Sequence, residues 1–224
     1  MLNTQAPQKL VRGTPDLVVH SIFPTIQGEG PFAGYPATFV RLSGCNLQCP
    51  LCDTDYTGGV RYRGADLLKK VADARLVVIT GGEPFRQPEG LVDFVWRCSK
   101  KGILVQIETN GTLRAPDDLL SSAAIVVSPK TGSVHRSILV RAKAWKYVAR
   151  AQDIDDTDGL PNRALDHPAV PRLARPPAGA KVYLQPADEQ DDTLNYFNTK
   201  AVVQSCLTHG HILCLQLHKI VGVA

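Results

Sequence analysis

The sequence predicts one α/β domain on a mainly parallel sheet, built either as an open or partial barrel or as a doubly wound sheet. Three observations predict it. Short apolar runs, many of them β-branched, recur along most of the 224 residues and read as buried strands. Stretches with apolar residues at helical spacing fall between several of these runs, which is the βαβ pattern of a parallel sheet. Chemically distinctive segments follow directly on the strands, and parallel α/β folds carry their sites at the carboxyl ends of strands.

The elements follow in chain order. Residues 1–16 are polar and contain proline, and are expected as a loose arm ahead of a core domain spanning 17–224. Strands are expected at 17–22, 38–42, 76–80, 103–108, 125–128, 145–149, 182–185 and 212–217. A helix is expected over 65–74 from Leu67, Leu68 and Val71, and a second over 88–100 from Leu91, Val92, Val95 and Trp96, with Gly102 as its cap. A short helix is expected at 117–122. The longest, 192–208, has an acidic start and Gly210 just past its end. Residues 152–180 are rich in Pro and Asp without periodicity, and read as an insertion or lid because strands resume after them.

Composition narrows the function classes. Apolar residues make up 44% and charged residues 21%, which excludes wholesale disorder and a coiled coil. No run of about 18 apolar residues offers a transmembrane helix. The N-terminal residues lack the apolar segment of a secretory signal, so a cytoplasmic protein is expected. The net charge of +4 comes as scattered pairs such as Lys69-Lys70, whereas a nucleic-acid footprint wants a denser stripe.

Three of the six cysteines, Cys45, Cys49 and Cys52, crowd into eight residues. In a reducing compartment such a cluster binds metal or does chemistry more often than it forms disulfides. Structural zinc wants four ligands, usually as two pairs, and no second pair follows. Three thiolates on a four-iron cluster leave one iron open to a substrate or cosubstrate. Cys98, Cys206 and Cys214 read as small core hydrophobes. His20, His135, His167, His209 and His211 show no ligand pairing. Arg41 shares a strand face with Phe39 inside an apolar run, and a guanidinium there needs an anion, either an internal carboxylate or a ligand.

Cys45-x3-Cys49-x2-Cys52 after one core strand and Gly81-Gly82-Glu83-Pro84 after the next resemble the radical S-adenosylmethionine superfamily. The segments running from Ser21 to Gly30, Phe39 to Leu47 and Cys52 to Thr54 resemble, within it, the 7-carboxy-7-deazaguanine synthase family. Glu108-Thr109-Asn110-Gly111, Ser128-Pro129-Lys130 and Gln216-Leu217-His218-Lys219 fit as well. The similarity covers about residues 17–149 and 181–224. It implies a partial (β/α)6 barrel, a [4Fe–4S] cluster, S-adenosylmethionine used catalytically, Mg2+ and a homodimer. It also implies an external one-electron reductant of flavodoxin or ferredoxin type. The implied reaction contracts the ring of 6-carboxy-5,6,7,8-tetrahydropterin to 7-carboxy-7-deazaguanine with loss of ammonia, in queuosine biosynthesis.

The same resemblance implies roles. Cys45, Cys49 and Cys52 ligate the cluster and Thr54 the Mg2+. Leu51, Gly81, Gly82, Glu83, Glu108, Asn110, Ser128, Lys130 and Gln185 line the cofactor, with Thr109 beside them. Gln27, Gly28, Glu29, Arg41, Thr80, Gly82 and His218 take the pterin, and the carboxylate of Ala224 is expected to reach it. Leu51 stands where the superfamily usually carries an aromatic residue near the adenine. Two rivals differ in kind: an activase that places a glycyl radical on a partner protein, and a zinc-stabilised binding protein without catalysis.

Overall fold

A computed structural model of the chain describes residues 3–119, 122–164 and 172–223. His167 and Ala224 therefore lie outside the described residues. One nine-stranded mixed sheet runs β3(Val60–Arg63)-β1(Asp16–Ile26)-β2(Pro36–Leu42)-β4(Leu76–Gly81)-β5(Leu104–Thr109)-β6(Ala124–Val127)-β7(Ala142–Ala149)-β8(Val182–Pro186)-β9(Ile212–Leu213). From β2 to β9 every neighbour pair is parallel, while β1 is antiparallel to both β2 and β3. β3 and β9 are its edges, so the sheet stays open, as a partial barrel does.

Strand parity sorts the two faces, because alternate side chains point to opposite sides. Val40, Leu42, Val77, Ile79, Val105, Ile107, Ile125, Val127, Tyr147 and Leu184 belong to the main apolar cluster. The helices α2(Pro88–Lys100) and α4(Asp192–His209) contribute Leu91, Phe94, Val95 and Val202 to it. The alternate positions face inward. Ala37, Leu76 and Val78, with Phe32 and Phe39, form a small apolar floor there. Above the floor the inward positions turn polar: Arg41, Thr80, Gln106, Glu108, Lys146 and Gln185. Apolar packing thus stops short of the strands' carboxyl ends on one face only.

Several expectations shift by long-range contacts. β1 runs to Ile26 because residues 21–26 pair with 36–41 of β2 as a hairpin. β3 was not visible in the sequence: its four residues are mostly exposed and pair only with β1. α1(Gly64–Lys70) is shorter than expected, and α3(Arg136–Leu139) is an additional short helix capped by the His135 ring. The expected helix at 117–122 is a 3-10 turn over Asp117–Leu119, and residues 120–121 lie outside the described set. α2 matches its expected bounds, yet it buries Leu91, Phe94, Val95 and Cys98, while Trp96 lies exposed beside Arg97 and Lys100. α4 begins with the Asp191 carboxylate accepting from the Leu194 amide at 2.9 Å and stops at Gly210, whose φ of 75° ends the helix.

The strand expected at 212–217 is not realised. Only Ile212 and Leu213 pair with β8; Leu217 then bonds to the Gly28 carbonyl and residues 217–220 form the short helix α5(Leu217–Ile220). The described residues of 152–180 lie between β7 and β8, where a crossover helix is usual. Leu160, Ala164 and Leu173 join the main core, Gly159 accepts from Ser205 of α4, and Asp155 and Asp158 pair with Arg172 and Arg175. Residues 154–164 and 172–180 form no α-helix, and these ion pairs help to fix them.

No helix among the described residues is long and apolar enough to cross a membrane. Phe94 is wholly buried at the centre of the α2 contact, so Phe94→Ala is expected to cost about 3–5 kcal/mol of stability, read as a fall in the urea midpoint.

Candidate active site

The cysteine loop leaves β2 at Ser43 and is built onto the end of β4. Gly81 has a φ of 119°, and a Cβ there would lie 2.2 Å from the Leu42 carbonyl oxygen. At Gly82 a Cβ would stand 2.0 Å from the Gly44 oxygen and 2.8 Å from the Cys45 nitrogen. The Gly82 and Glu83 amides in turn donate to Leu42 and Gly44 at 3.0 Å each. The glycine pair is thus required for packing against the cysteine loop itself, a reason the sequence alone does not disclose.

Glu83 is fully buried. Its carboxylate accepts from the Phe85 amide at 3.0 Å, the Thr109 hydroxyl at 2.8 Å and the Asn110 amide at 2.8 Å. Burial pushes its pKa up to about 7 against those hydrogen bonds. These hydrogen bonds tie the ends of β4 and β5 together. Asn110 continues the link, with its amide nitrogen 3.0 Å from the Asn46 oxygen and 4.0 Å from the Cys45 sulfur.

The arm before β1 is not loose. Asn3 and Gln8 donate their backbone amides to the Pro50 and Cys45 carbonyls at 2.7 and 2.6 Å. The Asn3 side chain donates to the Cys49 carbonyl at 3.1 Å, and Gln5 to the Thr54 carbonyl at 2.9 Å. Buried Tyr56 closes the set through the Gln5 and Leu47 carbonyls. Arg86 donates to the Lys9 and Ser43 carbonyls. The arm is a strap along the cysteine loop, held by backbone groups together with the Asn3 and Gln5 side chains.

All three loop thiols are free; Cys45 and Cys49 are buried and Cys52 half-buried. Burial pushes the Cys45 pKa up to about 12 and raises those of Cys49 and Cys52. Metal binding here must displace protons. Among the described residues no three His, Cys, Asp or Glu side chains gather closely enough to hold a single ion. Three free thiols on one short loop are the donor set that a thiolate-bound group such as an iron–sulfur cluster takes. Lys130, which donates to Ser128 at 2.6 Å, stands near enough to Cys49 and Cys52 to act on their charge. Thr54 is half-buried and donates to Asp53 at 3.2 Å, an oxygen pair suited to a hard cation.

The concave face brings together most of the residues expected at the pterin. The turn after β1 carries Gln27, Gly28 and Glu29 inward. Gln27 is buried and donates to Glu108 at 3.1 Å. Thr80 also points to Glu108, at 3.4 Å, and Gln106 donates to it at 2.9 Å. Glu29 is salt-bridged to Lys146 and accepts from Gln216 at 2.9 Å. Burial alone would raise the Glu29 pKa, but the Lys146 ammonium overrides it and holds the carboxyl down at about 2. His218 packs on Gly28, where a Cβ would lie 2.0 Å from its Nδ1. Cys214, expected as a core hydrophobe, is buried among polar partners: its sulfur accepts from the Gly30 amide at 3.3 Å and faces Gln185 at 3.6 Å. Ala224 lies outside the described residues.

Arg41 has no ion pair among the described residues. Its Nε is buried without a hydrogen-bond partner, and its guanidinium carbon lies 5.3 Å from the centre of the Phe23 ring. Of the two anion sources open in the sequence, an internal carboxylate is not seen at Arg41 among the described residues.

Lys146 and Gln106 also belong to this face, though no motif in the sequence marks them. Lys146 carries the same signal as Arg41, a cation inside an apolar strand at an inward position. Gln216 lies in the tail segment that carries the resemblance, but its contact with Glu29 depends on how the tail folds.

An open parallel barrel with a three-cysteine loop at the carboxyl end of its second strand defines a radical S-adenosylmethionine-type protein. The relatives are narrower than that. A 7-carboxy-7-deazaguanine synthase of Rhodospirillum rubrum is 40% identical, the match covering 93% of each chain. That of Rickettsia prowazekii is 36% identical over 92% of this chain and 88% of its own. The crystal structure of QueE from Escherichia coli superposes with a TM-score of 0.67 at 28% identity, covering 90% of this chain and 94% of that one. No protein-family model matches the chain. The chain belongs to the 7-carboxy-7-deazaguanine synthase family.

The strap yields a direct test. In the metal-free protein, Asn3→Ala with Gln5→Ala is expected to speed alkylation of Cys45 and Cys49 by iodoacetamide several-fold, with wholly buried Cys98 as the unchanged control. Peptide mass spectrometry over time measures each cysteine separately.

Proposed function

We propose that this chain converts 6-carboxy-5,6,7,8-tetrahydropterin to 7-carboxy-7-deazaguanine with release of ammonia, as a carbon–nitrogen lyase of the queuosine route. The observation that carries it is Arg41: a guanidinium without an ion pair among the described residues, on the polar half of a concave face that also presents the Glu29 and Glu108 carboxylates. Such a face suits a ligand with a carboxylate at one end and a row of N–H donors at the other. A carboxy-pterin has both.

Cys45, Cys49 and Cys52 would hold a [4Fe–4S] cluster, which with S-adenosylmethionine supplies the one-electron chemistry that removes a hydrogen atom from substrate. The chain's own residues do the rest. Arg41 takes the pterin carboxylate as a charge-assisted pair. Glu29 accepts from the ring's amino and N–H groups, with Gln27, Thr80 and His218 around it. Asn110, Ser128, Lys130 and Gln185 line the side towards the cysteine loop, where S-adenosylmethionine would lie against the Gly82 backbone and Leu51. Thr54 would give its hydroxyl to Mg2+, which could orient the substrate carboxylate. The tail from Gln216 to His218 covers the turn at Glu29 and keeps water from it. The reading carries with it a cytoplasmic homodimer and an external one-electron donor.

The test is anaerobic turnover of iron-loaded protein with dithionite, S-adenosylmethionine, Mg2+ and the pterin. 7-Carboxy-7-deazaguanine should form in excess over any S-adenosylmethionine consumed; cofactor cleavage with the pterin untouched would defeat the proposed substrate. Truncating one partner of a buried charge pair costs about 2–5 kcal/mol, so Arg41→Gln should lower kcat/KM by roughly 30-fold or more with iron content unchanged.

A further inference from the structure

Lys146 is the one ammonium placed between Glu29 and Glu108 among the described residues. It lies on β7 at an inward position, 8% exposed, salt-bridged to Glu29 and 4.0 Å from Glu108. Four other side chains around the two carboxylates all present donors: Gln216 to Glu29, and Gln27, Gln106 and Thr80 to Glu108. The Gln27 side-chain oxygen, Oε1, already accepts from the Glu29 backbone amide at 3.1 Å. A protonated carboxyl would therefore meet donors on most sides. Two buried carboxylates sharing one ligand cannot both stay ionised without a cation between them. The groups facing Lys146 are Glu29, Glu108, Lys130 and Cys214; those facing Glu29 are Lys146, Lys130, Cys214, Gln216 and His218, of which only Lys146 is salt-bridged to it.

We propose that Lys146 is a positioning residue for the reaction: bridging Glu29 and Glu108, it sets two carboxylates as one acceptor surface for the N–H edge of the reduced pterin. The inference rests on the functional reading above and deepens it. Lys146 need not touch the substrate. A carboxylate has about four acceptor sites, so Glu29 can serve Lys146 and Gln216 and still take ring donors. Both neighbours favour the charged form of Lys146, while burial opposes it.

The sign of the pH effect follows. With the ammonium present, the Glu29 pKa is held down at about 2, so the carboxylate is ionised and substrate binding through it is flat from pH 6 to 9. Without the ammonium, burial dominates and the Glu29 carboxyl titrates above its ordinary value. The ionised form is then lost as pH falls, so kcat/KM should rise with pH where the wild type is level.

The experiment compares wild type, Lys146→Met and Lys146→Arg, all iron-loaded, in kcat and KM for the pterin from pH 6 to 9. Iron content and thermal melting are read in parallel. For Lys146→Met the expected result is a KM raised about tenfold or more at pH 7, the loss of about one charge-assisted contact. Its kcat/KM should climb with pH, its iron content should be unchanged, and Lys146→Arg should recover much of the loss. Lys146→Gln replaces the Met variant should that one fail to fold. A level profile with unchanged KM overturns the inference. So does a fall in kcat that tracks lost iron or a lower melting point. A wild type inert on the pterin defeats the functional reading first, and the inference falls with it; wild-type turnover tells the two failures apart.

Discussion

Lys146 stands between Glu29 and Glu108 inside a sheet whose opposite face carries the apolar core, and much of the concave side is arranged by that contact. A charge inside an α/β domain is tolerated only when it is paired and hydrogen-bonded. Here the pairing reaches across the sheet. Glu29 comes from the turn after β1, Lys146 from β7 and Glu108 from β5. The backbone contact of Gly30 with Cys214 and that of Leu217 with Gly28 lie in the same place. The turn after β1 is thus tied across the open sheet to β5, β7 and the tail.

That polar half depends on where the apolar half stops. Ala37, Leu76 and Val78 fill the inward positions at the start of β2 and β4. Further on, the same strand faces carry Arg41, two residues past Phe39, and Thr80, two past Val78. Parity allows no other destination for these side chains, because a shift of one residue would turn Val40 and Ile79 inward and Arg41 into the helix layer. Binding chemistry and core packing are therefore encoded in one alternating pattern, and a register error would lose both.

What was legible in the sequence follows from which contacts are local. α2 and α4 carry their own stop signals and appear close to their expected bounds; the parallel strands appear from their apolar runs alone. Arg41 could be singled out because its run is apolar on both sides, and Lys146 carried the same signal unnoticed, being outside any motif. β3 and α5 could not be read. β3 exists because β1 offers it a ladder, and α5 because Gly28 and Glu29 offer the tail a place to turn. The strap was illegible for another reason. Much of its binding runs through carbonyls and amides, which every residue possesses.

Glu83 shows the same point at the scale of one side chain. In the sequence it is the third residue of a Gly-Gly-Glu-Pro segment and invites a role at the cofactor. In the structure its three hydrogen bonds join the turn after β4 to the end of β5, and the two glycines before it let the cysteine loop lie against β4. The segment is thus a joint between three strand ends. Cys45 is held from one side by the strap at its carbonyl and from the other by Asn110 near its sulfur, and Asn110 is held in turn by Glu83. A motif can stay together in sequence because its members fix one another in place, even where only some of them face a ligand.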